Sequence, residues 1–468
     1  MKTLSRRALL LYAFVLAFLV GFSYLFFTFY TNSDSWAMKR ANRHLYTGST
    51  LTTAGTIKDE KGVSLAETID GKRVFNKDKT IRMATLHTVG DSEGYISTGI
   101  HTSYKDALTG YNFVDGVYDL KKYGKGSSIT LSINAELCAT AYSALGKNKG
   151  TVGVYNYKTG QLLCVTSNPS FDIQNKPVQN INNDKTGEYE GVYLNRFFSG
   201  VYTPGSTFKI ITAACAIENI PDIYEKTYTC TGEYKLDGSS VKCLGVHGKV
   251  GLEKALNVSC NSAFGQIAVE LGAEKLMATA TRIGFNAPHK VDNIDLSKSS
   301  IDLIGKPNLD VAWAGIGQLT TRLNPCHMLT IVGAIANGGT SPNPYLINTI
   351  TSPAGKETYK SKTVMGAEMF KGDVAKKVSE LMRSNVKNYY GESKFPNLKM
   401  CGKTGTAEVS SEKGGKAPHA WFVGFSQRED LPLAIVVIAE NGGFGNSTSV
   451  PIANKVMQKA LSLYGKDK

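Results

Sequence analysis

Between Ala8 and Tyr30 the chain carries no charged side chain. The run is about 23 residues long, and as a helix rising ~1.5 Å per residue it is long enough to cross a bilayer. Lys2, Arg6 and Arg7 precede it, and Tyr24, Tyr30 and Trp36 are placed for its outer interface. The run is longer than a signal-peptide core, and no small-x-small cleavage pattern follows closely. Lys39, Arg40 and Arg43 lie beyond it, so the flanking charge is not one-sided. A long remainder translocates regardless of charge, so residues 1–7 are expected inside. Residues 8–30 are expected as a single-pass anchor in the cytoplasmic membrane, with the rest on the outer face.

The 468 residues leave room for two or three domains. The formal net charge of +14 suits anionic lipid or an anionic wall polymer. No basic cluster interleaved with aromatics stands out, so no nucleic acid is expected as a partner. Of the cysteines, Cys138, Cys164, Cys215 and Cys401 lie in apolar segments and read as core. Cys230 and Cys243 flank a polar loop and could join as a disulfide outside the membrane. With His247 they could also contribute to a metal site, but no fourth ligand is evident, and no metal or cofactor is expected.

The stretch Gly200 to Asn219 reads GVYTPGSTFKIITAACAIEN. Pro204-Gly205 is a turn signal, and Ser206 follows it at the first turn of a helix. That helix is apolar nearly all round, which marks it as buried. Ser206 and Lys209 are three apart and share its face. A serine hydroxyl becomes a nucleophile beside a base, and burial lowers a lysine toward the neutral form that can serve. Taken alone, Ser206 would be an ordinary helix cap.

Around it the chain reads as follows. Residues 31–126 hold short Thr-, Val- and Ile-containing runs broken by glycine, a small β-rich domain. Trp36 to Leu45 continues as a juxtamembrane helix, and Gly124 to Ser127 is a boundary. Ile129 to Ile133 alternates as a strand, and Ala135 to Leu145 is a helix. Thr151 to Tyr155 and Leu162 to Thr166 form a hairpin around Lys158-Thr159-Gly160. Leu252 to Val258 and Ser262 to Leu271 are helical, interrupted by Ser259-Cys260-Asn261. Met328 to Asn337, Val374 to Val386 and Val450 to Leu463 are helices. Lys403 to Val409, Ala420 to Phe425 and Leu433 to Glu440 are strands. Strands at both ends and helices between give an α+β domain over residues 127–468, one sheet from early and late segments with a helical insertion.

Two further motifs accompany Ser206-x-x-Lys209: Ser259-x-Asn261 and Lys403-Thr404-Gly405-Thr406. The triple, in this order, is the signature of penicillin-binding proteins and class A β-lactamases. The chain resembles the penicillin-binding transpeptidases, and more closely the monofunctional class B type. Leu194-Asn195-Arg196, Ser167 to Asp172, Tyr202 to Lys209, Gly315-Ile316-Gly317-Gln318 and Lys403 to Glu408 carry the likeness, which covers about residues 127 to 465. Ala54-Gly55-Thr56-Ile57 resembles the family's Arg-Gly-x-Ile segment, with alanine where arginine is usual.

The resemblance implies the penicillin-binding, serine β-lactamase-like fold, an antiparallel sheet flanked by helices plus a helical lobe, on a membrane pedestal. It implies roles as well. Ser206 attacks the penultimate D-alanine of a peptidoglycan stem peptide, and Lys209 is its base. Ser259 relays a proton to the leaving amine, and Asn261 holds the substrate and Lys209. Lys403 sets the field, Thr404 and Thr406 bind the terminal carboxylate, and Gly405 lets the substrate backbone approach. The backbone N–H groups of Ser206 and Thr406 form the oxyanion hole. β-Lactam antibiotics would acylate the same serine. About 100 residues between anchor and catalytic domain are too few for a glycosyltransferase domain, so a membrane glycan polymerase is an implied partner. A carboxypeptidase or β-lactamase shares the chemistry with water as acceptor, and Glu408, on one face with Thr404 and Thr406, is a candidate hydrolytic base. A membrane-anchored β-lactam sensor or inactive scaffold is the remaining alternative. The intact serine, lysine and asparagine set argues against the scaffold, and about seven inner residues argue against the sensor.

Overall fold

Apolar strand-forming runs at the two ends of the catalytic region pair into a single sheet in the computed structural model, which describes residues 2–37, 46–47, 50–51, 53–111, 122–408 and 417–466. Its strands are β1 (Gly150–Asn156), β2 (Leu162–Asn168), β3 (Met400–Ala407), β4 (His419–Ser426) and β5 (Leu433–Ala439), all antiparallel to their neighbours. The order is β3-β4-β5-β1-β2, so β3 is an edge strand. All seven residues of β5 are buried, which is why its sequence, LAIVVIA, is continuously apolar and not alternating. The helix Pro325–Ala336 packs on the sheet, and Ala135–Leu145 with Ser449–Tyr464 cover it as a second helical layer. Each fully buried Val, Leu or Ile in these layers contributes roughly 1.5–3 kcal/mol. Between β2 and β3 lies the helical lobe, built on α1 (Lys209–Asn219), α2 (Asn261–Arg282) and α3 (Asn308–Gly315).

A second sheet runs Glu357–Lys360, Ile347–Thr351, Ser128–Leu131, Ile57–Lys58, Ser64–Ile69, Lys72–Phe75. Ser128–Leu131 is its hub, parallel to Ile57–Lys58 and antiparallel to Ile347–Thr351. One sheet therefore draws strands from both sides of residue 126. The helix Lys79–Val89, capped by the Asp78 carboxylate on the N–H groups of Thr80 and Ile81, went unread in the sequence. Arg82 on that helix grips Asp172 with two bonds of 2.6 and 2.8 Å. Asp172 closes the Ser167 to Asp172 motif, so that motif serves as a clamp between the two sheets' helices and loops.

The N-terminal helix Lys2–Ala37 contains a span, Ser5–Ser33, with a mean hydropathy of 2.3 and no buried residue in its most apolar window, long and apolar enough to cross a membrane. Residues 38–45, which include Lys39, Arg40, Arg43 and most of the expected juxtamembrane helix, lie outside the described residues, as does Val409.

Three histidines are buried without a carboxylate partner. His87 meets the Val192 carbonyl at 2.8 Å. His101 sits between the Val89 and Gly90 carbonyls and the Arg73 guanidinium. His327 sits between Ser299 Oγ and the Ile283 carbonyl. Burial pushes His87 down to about 4 and, with Arg73 and His289 adding like charge, His101 and His327 down to about 3. The unfolded chain takes up these protons below pH ~6.5 while the folded chain does not, so the stability they leave intact above that pH is lost as the pH falls toward 4. The expected slope is on the order of 1.4 kcal/mol per group per pH unit. Urea midpoints at pH 7 and pH 5 measure it; equal midpoints would contradict the assignment.

Candidate active site

Ser206 is part-buried on a 3₁₀ turn, Gly205–Thr207, that feeds directly into α1. The turn is pressed against edge strand β3. Gly205 is at φ 53°, and a Cβ there would stand 2.6 Å from the Thr406 carbonyl oxygen. A Cβ on Gly405 would meet the Pro204 carbonyl oxygen at 2.8 Å and Thr207 Cγ2 at 2.9 Å. What a Cβ on Gly405 would meet is thus this chain's own Ser206 turn, and the glycine lets that turn sit against the strand. Gly317 completes the seat, its carbonyl accepting the Gly205 N–H at 2.9 Å.

Lys209, the first residue of the buried helix α1, has no exposed surface. Its Nζ donates to Asn261 Oδ1 at 2.6 Å and to the Ser259 carbonyl at 2.7 Å, with Ser259 Oγ at 3.2 Å. Lys403, equally buried, donates from Nζ to Ser259 Oγ at 3.0 Å and to the Thr404 carbonyl at 3.0 Å. Two amines therefore share one hydroxyl. Burial pushes Lys209 down to about 7. Burial, and then the charge of Lys209, push Lys403 well below the usual lysine range. A neutral amine has two hydrogens, and two carbonyl-type oxygens already take them at Lys209. Its lone pair is left to accept a hydroxyl proton.

Ser259 sits at φ 52°, a left-handed backbone that costs a serine of order 1–3 kcal/mol. The strain turns the chain between the helix Leu252–Asn257 and α2, so that both its carbonyl and its hydroxyl face Lys209. Asn261 is fixed from its other end, Nδ2 donating to the Lys242 carbonyl at 2.9 Å.

On β3, Thr404 and Thr406 are part-buried on one face while Lys403 and Gly405 are buried. The Thr404 N–H points away from β4, because it donates to the Tyr390 hydroxyl at 3.0 Å. Strand alternation gives the Thr406 N–H the same open direction. Glu408 is exposed just past the strand's end.

The family model for the penicillin-binding protein transpeptidase domain matches residues 150–458. The chain belongs to that family. Among curated relatives it is 29% identical over 363 residues to the peptidoglycan D,D-transpeptidase PbpA of Mycobacterium tuberculosis, covering 72% of this chain and 73% of that one. It is 26% identical over 442 residues to the peptidoglycan D,D-transpeptidase MrdA of Haemophilus influenzae, covering 84% and 66%. Among solved structures, the ceftriaxone acyl-enzyme complex of M. tuberculosis penicillin-binding protein A superposes with a TM-score of 0.78 at 25% identity, over 88% of this chain and 99% of that one. The D,D-transpeptidase domain of an Eggerthella lenta peptidoglycan glycosyltransferase gives 0.76 at 25%, over 88% and 99%.

Within this penicillin-binding fold Lys209, Ser259, Asn261 and Lys403 are brought into one hydrogen-bonded set beside the Ser206 turn. Tyr390 did not show in the sequence. It lies on a π-helical turn, Asn385–Gly391, that covers the first half of the β3 edge, with Asn385 Nδ2 donating to the Gly402 carbonyl at 3.0 Å. The Leu194-Asn195-Arg196 motif proves architectural: Asn195 caps the short helix Arg196–Ser199, and Arg196 pairs with Glu440 at 2.8 Å, which also accepts the Tyr202 hydroxyl at 2.7 Å. All eight cysteines are free thiols, so Cys230 and Cys243 are not joined. Instead Cys230, Cys243 and His247 gather with Cys260, the middle residue of Ser259-x-Asn261.

Proposed function

We propose that the chain is a membrane-anchored peptidoglycan D,D-transpeptidase that works through a serine acyl-enzyme. The observation that carries the reading is the hydrogen-bonded set of Lys209, Ser259, Asn261 and Lys403 beside the Ser206 turn. Neutral Lys209 takes the Ser206 proton as Oγ bonds to the carbonyl carbon of the penultimate D-alanine. The Ser206 and Thr406 N–H groups meet the oxyanion that forms. Ser259, between two amines, passes the proton to the departing D-alanine nitrogen as the amide bond breaks. Thr404, Thr406 and Lys403 receive the terminal carboxylate. An acceptor amine then attacks the ester, restoring Ser206 and forming the cross-link. Cross-linking needs polymerised strands, so a membrane glycan polymerase is the partner this chemistry asks for. We take the span Ser5–Ser33, long and apolar enough to cross a membrane, as a single-pass anchor with the site on the outer face, where such strands lie.

Transpeptidase and hydrolase share the acylation and differ in what attacks the ester. Glu408 is exposed beyond the end of β3, and the hydrogen bonds of Lys209, Asn261 and Lys403 go to no carboxylate. The penicilloyl-enzyme is therefore expected to persist for many minutes, while a D-Ala-D-Ala peptide with an added amine gives cross-linked product. Stopped-time mass spectrometry of the intact protein reads both; rapid multiple turnover of penicillin would establish a β-lactamase instead.

A further inference from the structure

Four soft donor atoms converge on one point beside the active site. They are Cys230 Sγ at the end of the strand Tyr228–Cys230, Cys243 Sγ just after Ser239–Lys242, His247 Nδ1 just before Gly248–Val250, and Cys260 Sγ at the N-cap of α2. All four lie within 4.8 Å of one another. His247 Nδ1 is 3.6 Å from Cys230 Sγ and 3.4 Å from Cys243 Sγ, and Cys243 Sγ is 3.9 Å from Cys260 Sγ.

These spacings discriminate between two chemistries. A disulfide requires sulfurs at about 2.05 Å. A tetrahedral zinc with bonds of about 2.3 Å to sulfur and 2.0–2.1 Å to nitrogen requires edges of roughly 3.8 Å between sulfurs and roughly 3.6 Å between sulfur and nitrogen. The edges of 3.4, 3.6 and 3.9 Å lie close to those of the tetrahedron, and the remaining ones are within 4.8 Å. The surroundings suit thiolates. The Asn261 N–H donates to Cys243 Sγ and the Ala263 N–H to Cys260 Sγ, each at 3.3 Å, both from the first turn of α2, which runs unbroken as far as the kink at Gly272. Cys230 and Cys260 are fully buried. Three thiolates, one imidazole and no carboxylate select zinc over hard cations, and four protein ligands leave no open position for catalysis.

We propose that Cys230, Cys243, His247 and Cys260 bind one structural Zn²⁺ that clamps Ser259 and Asn261 in place. Binding displaces three thiol protons to solvent and leaves the imidazole neutral. Cys260 is the covalent neighbour of both residues, and Cys243 follows Lys242, whose carbonyl anchors the Asn261 amide. The metal thereby fixes the two oxygens that hold Lys209 at 2.6 and 2.7 Å. It also staples a region whose strands are only three or four residues long. This reverses the expectation that the chain holds no metal. The fourth ligand is Cys260, concealed in the sequence as the variable residue of a catalytic motif.

The test uses the full chain in detergent, purified under reductant without chelator. Inductively coupled plasma mass spectrometry should find about one zinc per chain, and Co²⁺ exchanged into the site should show thiolate-to-cobalt charge transfer with tetrahedral d–d bands. Cys230→Ser, away from the catalytic motif, should lose the metal, whereas His247→Cys should retain it. Removing zinc from the wild type with a chelator should lower the acylation rate constant for penicillin by roughly tenfold or more, with zinc restoring it and far-ultraviolet circular dichroism unchanged. Zinc well below one per chain, or a mapped disulfide among these cysteines in the isolated protein, overturns the site. Unchanged acylation after verified zinc removal overturns the clamp. The zinc count does not depend on the transpeptidase reading.

Discussion

Ser206→Ala should abolish covalent labelling by penicillin outright, with intact-protein mass spectrometry showing the unmodified mass at any exposure time. The expectation rests on placement. Ser206 is the hydroxyl that the 3₁₀ turn holds against β3, at the end where the Thr406 N–H is open. Ser259 is already engaged by both lysines and cannot substitute as the nucleophile without breaking that set. Removing one part-buried hydroxyl leaves the turn's glycine contacts untouched, so the unfolding free energy should stay within about 0.5 kcal/mol of wild type. A labelled peptide carrying another serine would overturn the assignment.

Lys209→Met should lower the acylation rate constant by roughly 10²–10⁴-fold, the range associated with a positioned base. The methionine fills similar volume but leaves Asn261 Oδ1 and the Ser259 carbonyl without their donor, so some loss of stability accompanies it. The pH profile separates the two effects. Burial holds Lys209 at about 7, and only its neutral form accepts a proton, so wild-type acylation should rise with pH through about 7 and then level. The variant's residual rate should lack that inflection. Equal profiles in the two proteins would mean that another group is the base.

The sequence made the motifs legible because each is local. Ser206-x-x-Lys209 is one turn of helix, Ser259-x-Asn261 a helix junction, and Lys403 to Thr406 four residues of strand. The continuous apolar run of β5 and the hairpin of β1 and β2 were legible for the same reason. What escaped depends on contacts between distant segments. Gly405 reads as room for a substrate until Pro204 and Thr207 are seen to fill that room. Tyr390 reads as any surface tyrosine until its π-helical turn folds onto β3. Cys260 reads as a neutral spacer until residues 230, 243 and 247 are brought around it by hairpins of their own. A pattern search weighs spacing along the chain, and none of these three relations has a fixed spacing.

The second sheet has a consequence in time. Ser128–Leu131 finds one neighbour upstream, at residues 57–58, and the other only at residues 347–351, whose own outer partner ends at Lys360. Roughly 220 residues separate Leu131 from Thr351, and at a synthesis rate of ~5–20 residues per second the ribosome needs roughly 10–45 s to make them. Throughout that interval the hub strand emerges with one side open and its backbone donors and acceptors unmatched, the situation in which nascent strands pair wrongly. The membrane-proximal part of this protein therefore cannot finish before the catalytic part is mostly made. Its assembly is completed from the far end of the polypeptide, after synthesis of the segment that carries Ser206.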